Sequence, residues 1–189
     1  GLGRVHSRAG HHDAALAAYG RARRLAELGI GPDHVQSAWA LVNEAEGYRS
    51  AGDAARAVEL YTEAIRRMRA LPLPSPALEV EPLTGRAEAL VAQGRTRAAW
   101  ADVREVESTC ERLGCEPALA GRAGFARARL LAAADDDPGA RAAAQHALAR
   151  MPDARRTHRV LRRAIIEWLG AEDDYSAEPL RERQRVPID

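Results

Sequence analysis

The 189-residue chain is 46% hydrophobic but only 4% aromatic, so its core is built mainly from small aliphatic side chains. Its 28 basic and 27 acidic residues leave a net charge of +1, so no overall positive field attracts nucleic acid. No apolar run approaches the roughly 20 residues of a membrane-spanning helix, and no secretory signal pattern is found. Every basic residue is arginine, which we attribute to a GC-rich bacterial genome; an anion-binding surface is the alternative.

Ala and Leu dominate, and the β-branched clusters that favour strands are rare, so the sequence predicts an all-α fold. Because Gly1 stands in what reads as the interior of a helix, we expect the chain to be a fragment of a longer protein. Glycines, prolines and aspartates predict breaks at about 29–33, 71–76 and 135–138. After a first helix that ends near residue 8, helices are predicted at about 13–28, 34–51, 53–71, 77–93, 96–113, 117–134, 138–151 and 154–169.

A repeat with a period of 42 residues runs through the chain, marked by Gly10, Gly52 and Gly94. Each glycine is expected to end a first helix, since glycine adopts the left-handed conformation without strain. A small residue stands seven positions before each glycine and lets the two helices of a hairpin approach. Nine positions after the glycines, Tyr19 and Tyr61 are predicted to fill the groove to the next hairpin. A fourth copy follows after a slip of one residue, and the hairpins must stack to bury their apolar stripes.

The run from Leu41 to Ala64 (LVNEAEGYRSAGDAARAVELYTEA) resembles the tetratricopeptide repeat consensus, and Leu2-Gly3 matches the Leu-Gly pair of that family. The resemblance covers roughly residues 1–151. Glu44 and Arg86 depart from it, because leucine is usual at those places. The period of 42 also exceeds the usual 34 residues. Repeats of this greater length resemble those of bacterial signalling proteins and large transcriptional regulators.

This resemblance implies a right-handed α-solenoid of about four helical hairpins with a C-terminal capping helix. With arginines on its other faces, the capping helix is predicted to carry one apolar stripe: Val160, Leu161, Ala164, Ile165, Trp168 and Leu169. Residues 171–189 read as a tail or linker. The predicted domain covers 1–170, with repeats at about 1–30, 31–72, 73–115 and 116–152 and the capping helix at 153–170.

In tetratricopeptide proteins the first helices of successive hairpins line the concave surface, which implies a binding face for a peptide or protein segment. Asn43 is the only asparagine of the chain, and its amide can donate to and accept from a peptide backbone. The basic residues with which this family holds a C-terminal carboxylate are not matched, because Glu81 and Gly85 stand at two of those places. A plain solvated surface is the alternative. The predicted face consists of Arg4, Arg8, Trp39, Val42, Asn43, Glu46, Arg49, Thr84, Glu88, Val91 and Arg127.

No catalytic motif is found, so the sequence predicts a binding protein rather than an enzyme, without a metal or cofactor. His11-His12 and Asp135–Asp137 lack the spacing of metal ligands and read as solvated turns. Cys110 and Cys115 are predicted to be free thiols in a reducing cytoplasm. The predicted function is a cytoplasmic protein-interaction scaffold within a larger bacterial regulator. The alternative is a self-associating, dimeric or spacer module without its own ligand.

Overall fold

A computed structural model describes residues 3, 11–72, 75–151 and 156–170 of the chain. Within these residues the regular secondary structure is helical and no strand occurs, which confirms the predicted all-α class. The observed bounds agree with the predicted ones to within a few residues. The helices are α1 (His12–Ile30), α2 (Val35–Ser50), α3 (Ala54–Arg69), α4 (Pro76–Ala92), α5 (Thr96–Leu113), α6 (Pro117–Ala132), α7 (Asp137–Ala149) and α8 (Arg156–Leu169).

Neighbouring helices in sequence are neighbours in space. Helix α2 packs on α3, α4 on α5 and α6 on α7, and each of these pairs also contacts the helix that follows it. The first helices additionally contact one another, α2 with α4 and α4 with α6. Second helices meet through long side chains, since Arg67 of α3 pairs with Glu27 of α1 at 2.8 Å and Arg69 of α3 pairs with Glu105 of α5. The first helices therefore form a closely packed row, and the second helices α1, α3 and α5 are joined by ion pairs.

Short turns with defined chemistry separate the helices of a pair. Gly52 and Gly94 have φ angles of 87° and 71°, the left-handed conformation predicted for them. Asp53 then caps α3, because its carboxylate accepts from the amide of Arg56 at 3.0 Å. Asp136 caps α7 in the same way through the amide of Gly139.

A ring-to-glycine contact joins each of the first two hairpins to the next one. Tyr19 of α1 lies against Gly47 of α2, where an added Cβ would come within 2.8 Å of the ring. Tyr61 of α3 lies against Gly85 of α4 in the same manner and is only 1% exposed. The prediction that these tyrosines fill the grooves between hairpins is thereby confirmed.

Helix α8 packs on α6 and α7, as expected of a terminal helix, but the predicted apolar stripe is partly wrong. Ile165 is fully buried, whereas Val160 is 69% exposed, Trp168 is 39% exposed and Ala164 is exposed as well. Trp168 nevertheless contacts Phe125 edge-on at 5.8 Å. Arg162 instead turns inward and donates to the carbonyls of Leu148 and Met151 at the end of α7. Residues two positions apart lie on roughly opposite sides of a helix, so Val160 faces outward when Arg162 faces α7.

The prediction of free thiols is wrong, because Cys110 and Cys115 form a disulfide. Cys110 lies in the last turn of α5, and Gly114 with a φ of 74° turns the chain back so that the two Cα atoms lie 4.9 Å apart. Such a separation lies within the range that a disulfide spans. The sequence spacing of 5 alone did not reveal this turn.

The Gly85→Ala substitution is expected to lower the free energy of unfolding by about 1 to 3 kcal/mol, because the new Cβ overlaps the ring of Tyr61. Gly29→Ala is the control. Gly29 also lies in a helix, but nothing lies within 4 Å of its added Cβ, so we expect no loss or a gain of up to about 1 kcal/mol. Urea denaturation of both variants measures the difference, and equal effects would contradict the role assigned to the contact.

Reduction of the Cys110–Cys115 disulfide is expected to lower the free energy of unfolding by about 2 kcal/mol, since the crosslink restricts the unfolded chain even over a short loop. Thermal unfolding with and without reductant measures the change. The double variant Cys110→Ser, Cys115→Ser should not respond to reductant. A wild-type melting temperature that is the same under both conditions would show that the bond does not form.

Candidate functional site

The predicted binding residues from the second and third copies lie on α2 and α4, in the row formed by α2, α4 and α6. The surface of this row is called the first-helix face below. Equivalent positions of the repeat recur along it, because the pattern returns after 42 residues and then after 41. One such position is occupied by Trp39, Glu81 and Arg122, and another by Glu46, Glu88 and Arg129. Each hairpin therefore contributes one side chain to each set of equivalent positions along the face.

A chain of ion pairs crosses the first-helix face and joins its three helices. The Nε of Arg49 donates to Glu46 at 3.0 Å, and a second nitrogen of Arg49 lies 3.1 Å from Glu88 on α4. Arg129 on α6 approaches the other oxygen of Glu88, also at 3.1 Å. The hydroxyl of Tyr61 donates to Glu46 at 2.9 Å. These five residues, called the ion-pair chain below, tie α2, α3, α4 and α6 together.

Burial and charge shift the pKa values within this chain in opposite ways. Burial alone would raise the pKa of Glu46, but the hydrogen bond and charge of Arg49 hold it below its usual value. Burial raises the pKa of the Tyr61 hydroxyl, and the adjacent Glu46 carboxylate raises it further. Glu46 is therefore ionised and Tyr61 is a neutral hydrogen-bond donor at neutral pH.

Trp39 and Asn43 form the part of the first-helix face that the ion-pair chain leaves accessible. Asn43 is exposed, and its Nδ2 donates to the backbone carbonyl of Trp39 at 2.9 Å. This bond orients the amide and leaves its Oδ1 without a partner among the described residues. Trp39 is half-buried against the core of the second hairpin. Together they present an oriented acceptor beside an indole ring.

Three other predicted residues are apolar or buried, so they lie beneath the accessible surface of the face rather than offering polar contacts to a ligand. The side chain of Thr84 is 2% exposed, and its hydroxyl has no hydrogen-bond partner within the described part of the chain. Val42 is buried in the second hairpin, and Val91 packs partly buried against the core of the third. Thr84 therefore does not offer its hydroxyl to a ligand in this conformation.

Arg127 does not lie with the other predicted residues. It pairs with Glu107 of α5 at 2.8 Å and lies over the ring of Trp100, on a cavity of about 760 Å³ between α5, α6 and α7. Arg122 and Arg129 take its place on the first-helix face, and sequence reasoning missed both. The signal was the spacing of 41 residues that separates Glu81 from Arg122 and Glu88 from Arg129.

Arg4 and Arg8, the predicted members from the first copy, lie outside the described residues. Among the residues that the structure describes, no three His, Cys, Asp or Glu side chains are grouped as a metal site would require. His11, His12 and the aspartates 135 to 137 are exposed. None of the described helices is long and apolar enough to cross a membrane.

Comparison with known proteins agrees with the helical character of the chain. Residues 1–70 match the family model of the tetratricopeptide repeat. This match covers the first two hairpins and supports a tetratricopeptide repeat family for the chain. Tetratricopeptide repeats generally mediate protein–protein interactions and are typically scaffolds without catalytic activity. No curated protein matches the chain.

The Glu46→Gln substitution is expected to lower the free energy of unfolding at pH 7 by about 1 kcal/mol, because a half-exposed charged hydrogen-bond pair contributes about that much. Since folding lowers the pKa of Glu46, its stabilisation is present above the ordinary value of about 4.3 and is lost as the pH falls through the lower folded value.

The difference between wild type and Glu46→Gln should therefore disappear in acid, as measured by urea denaturation from pH 7 down to pH 3. Glu59→Gln is the control, because within the part of the chain that the structure describes Glu59 pairs only with Arg56, on the exposed side of α3. Its effect should be smaller than that of Glu46→Gln at pH 7. A Glu46→Gln effect that does not change with pH would contradict the lowered pKa.

Proposed function

We propose that the chain binds a peptide or protein segment on its first-helix face, with Trp39 and Asn43 as the principal contacts. The observation that carries this proposal is the oriented, exposed amide of Asn43 beside the indole of Trp39. An asparagine amide can accept from and donate to an extended peptide backbone. An indole supplies apolar contact area at a small entropic cost.

The charges of the first-helix face indicate which kind of segment fits. Three acidic residues and three arginines on α2, α4 and α6 neutralise one another: Glu46, Glu81, Glu88, Arg49, Arg122 and Arg129. A ligand with a strong charge would have to break one of these pairs and would gain little. The segment that fits is therefore weakly charged and held through its backbone and one or two apolar side chains.

The wider architecture belongs to the same proposal. We assign the chain a right-handed solenoid of four hairpins with a 42-residue period over residues 1–170, a concave first-helix face, and a tail at 171–189. The contacts of α2 with α4 and α4 with α6 support the placement of the first helices on the inner side. The regulator of which the chain would be part is proposed to be bacterial, on the resemblance of the long repeat.

The cytoplasmic location stays a prediction, and one observation stands against it. Disulfides persist in oxidising compartments and are rare in the cytosol, so the Cys110–Cys115 bond favours an oxidising environment. A spacer or dimer role without a ligand is the alternative function. It would require that the first-helix face bind no segment at all.

The Asn43→Ala substitution is expected to weaken peptide binding about tenfold or more, because the bound backbone loses a hydrogen bond that is shielded from water. The probe is a library of short random peptides displayed on phage, selected on the purified wild-type chain and then measured as synthetic peptides. Gln145→Ala is the matched control, since it removes an exposed amide from α7, away from the first-helix face.

Trp39→Ala should also lose binding, while Trp100→Ala on α5 should retain it, with circular dichroism to verify that both variants keep their helices. Retention of the selected peptides by Asn43→Ala and Trp39→Ala would refute the site. Failure to select any peptide would favour the spacer function.

A further inference from the structure

The groove between the second helices α5 and α7 is open, whereas the two grooves before it are bridged. Arg67 of α3 pairs with Glu27 of α1 at 2.8 Å, and Arg69 of α3 pairs with Glu105 of α5. Among the described residues no ion pair joins α5 to α7. A cavity of about 760 Å³ lies here instead, with walls from α5 and α7 and a floor from α6. It is called the α5–α7 cavity below.

The α5–α7 cavity exists because the residues that line it are smaller than their equivalents one repeat earlier. Gly124 and Ala147 stand 41 residues after Leu83 and Val106. Leu83 and Val106 are fully buried and pack with Ile65 of α3 in one core cluster. The side chains that fill the earlier groove are therefore missing from this one. The space that is left has the volume of a small-molecule site, for which roughly 300 to 1,000 Å³ is usual.

The two walls of the cavity carry charges of opposite sign that are not neutralised within the described part of the chain. Glu111 on α5 and Arg150 at the end of α7 both line the cavity and are exposed, and neither forms an ion pair with a described residue. Glu111 occupies the place that Arg69 takes in the preceding repeat, and His146 takes the place of Glu105. The bridge between Arg69 and Glu105 is therefore not repeated across this groove.

The other acidic and arginine side chains of the cavity already have partners. Glu107 pairs with Arg127 at 2.8 Å, and Asp136 caps the start of α7 through a backbone amide at 3.0 Å. A ligand that bound these groups would have to break an existing contact and would gain little from the exchange. Glu111 and Arg150 are thus the charges that the cavity offers to a ligand.

We propose that the α5–α7 cavity binds a small zwitterion of the size of a short free peptide, with its ammonium group at Glu111 and its carboxylate at Arg150. A ligand with both charges gains two ion pairs, whereas a ligand with one charge gains only one. Arginine suits the carboxylate, because its guanidinium donates two parallel hydrogen bonds to it. Between these charges the ligand lies over alanine and glycine. This site is separate from the first-helix face.

The probes are di-, tri- and tetra-alanine with free ends, each compared with its N-acetylated and its C-amidated form. Acetylation removes the ammonium charge and amidation removes the carboxylate, while the methyl side chains stay the same. Three lengths are used because the charges must span the cavity. NMR titration of the complete chain, with the amides of Gly124 and Gly139 as reporters within the cavity, measures the affinities.

The best free peptide should bind about tenfold or more tightly than either of its blocked forms, since a hydrogen bond to a charged group is worth about that factor or more. This preference should decline with added salt, because salt screens exposed charges.

Variants of the chain locate the binding. Glu111→Gln should lower the affinity of the free peptide to that of its acetylated form, and Arg150→Gln should lower it to that of its amidated form. Ala142→Trp should abolish binding, because Ala142 is exposed and lines the cavity, so an indole fills the space without disturbing the core. Arg104→Gln is the control, since it removes an exposed arginine of α5 that lies outside the cavity. Circular dichroism verifies that the helices are kept.

Several results would overturn the proposal. Equal affinity of the free and blocked peptides, or no binding by any of them, would exclude a zwitterion as the ligand. Unchanged binding by Ala142→Trp would place the peptides elsewhere, and their loss in Asn43→Ala and Trp39→Ala would assign them to the first-helix face instead. If a chain that ends at residue 170 binds the free peptide and the complete chain does not, residues 171–189 occupy the cavity.

Discussion

The contact between an aromatic ring and a glycine of the next hairpin is the constraint on which the rest of the molecule depends. Tyr61 can lie against Gly85 only because residue 85 has no side chain, and the same holds for Tyr19 and Gly47. This close approach sets the distance between successive hairpins. It also places the hydroxyl of Tyr61 at Glu46, so the residue that fixes the spacing of the core also anchors the ion-pair chain on the surface.

The ion-pair chain follows from that spacing and limits what the surface can do. Arg49 of α2 reaches Glu88 of α4 because these two first helices lie close together. Charges that are satisfied within the protein give little affinity for a charged ligand, since a ligand would replace one ion pair by another. A ligand would therefore be recognised by groups that do not belong to the ion-pair chain, above all by the Asn43 amide. The ion pairs hold the helices of this surface in place, and its neutral groups determine which ligand it binds.

Much of the fold could be predicted from the residues that recur with the period of the repeat. The glycine turns and the tyrosine contacts recur with the period, so Gly52, Gly94 and Tyr61 could be assigned from sequence alone. The predictions that failed depend on particular contacts. A slip of one residue moved Arg129 rather than Arg127 onto the first-helix face, and the turn at Gly114 brought two cysteines together. In α8 the carbonyls of Leu148 and Met151 accept from Arg162 and hold it inward, against its expected outward position.

The first-helix face has its charges paired and its core residues buried, so a ligand there adds contacts to a surface that is already stable without it. Because few of its charges are available to a ligand, binding there would rest on hydrogen-bond geometry and respond weakly to salt.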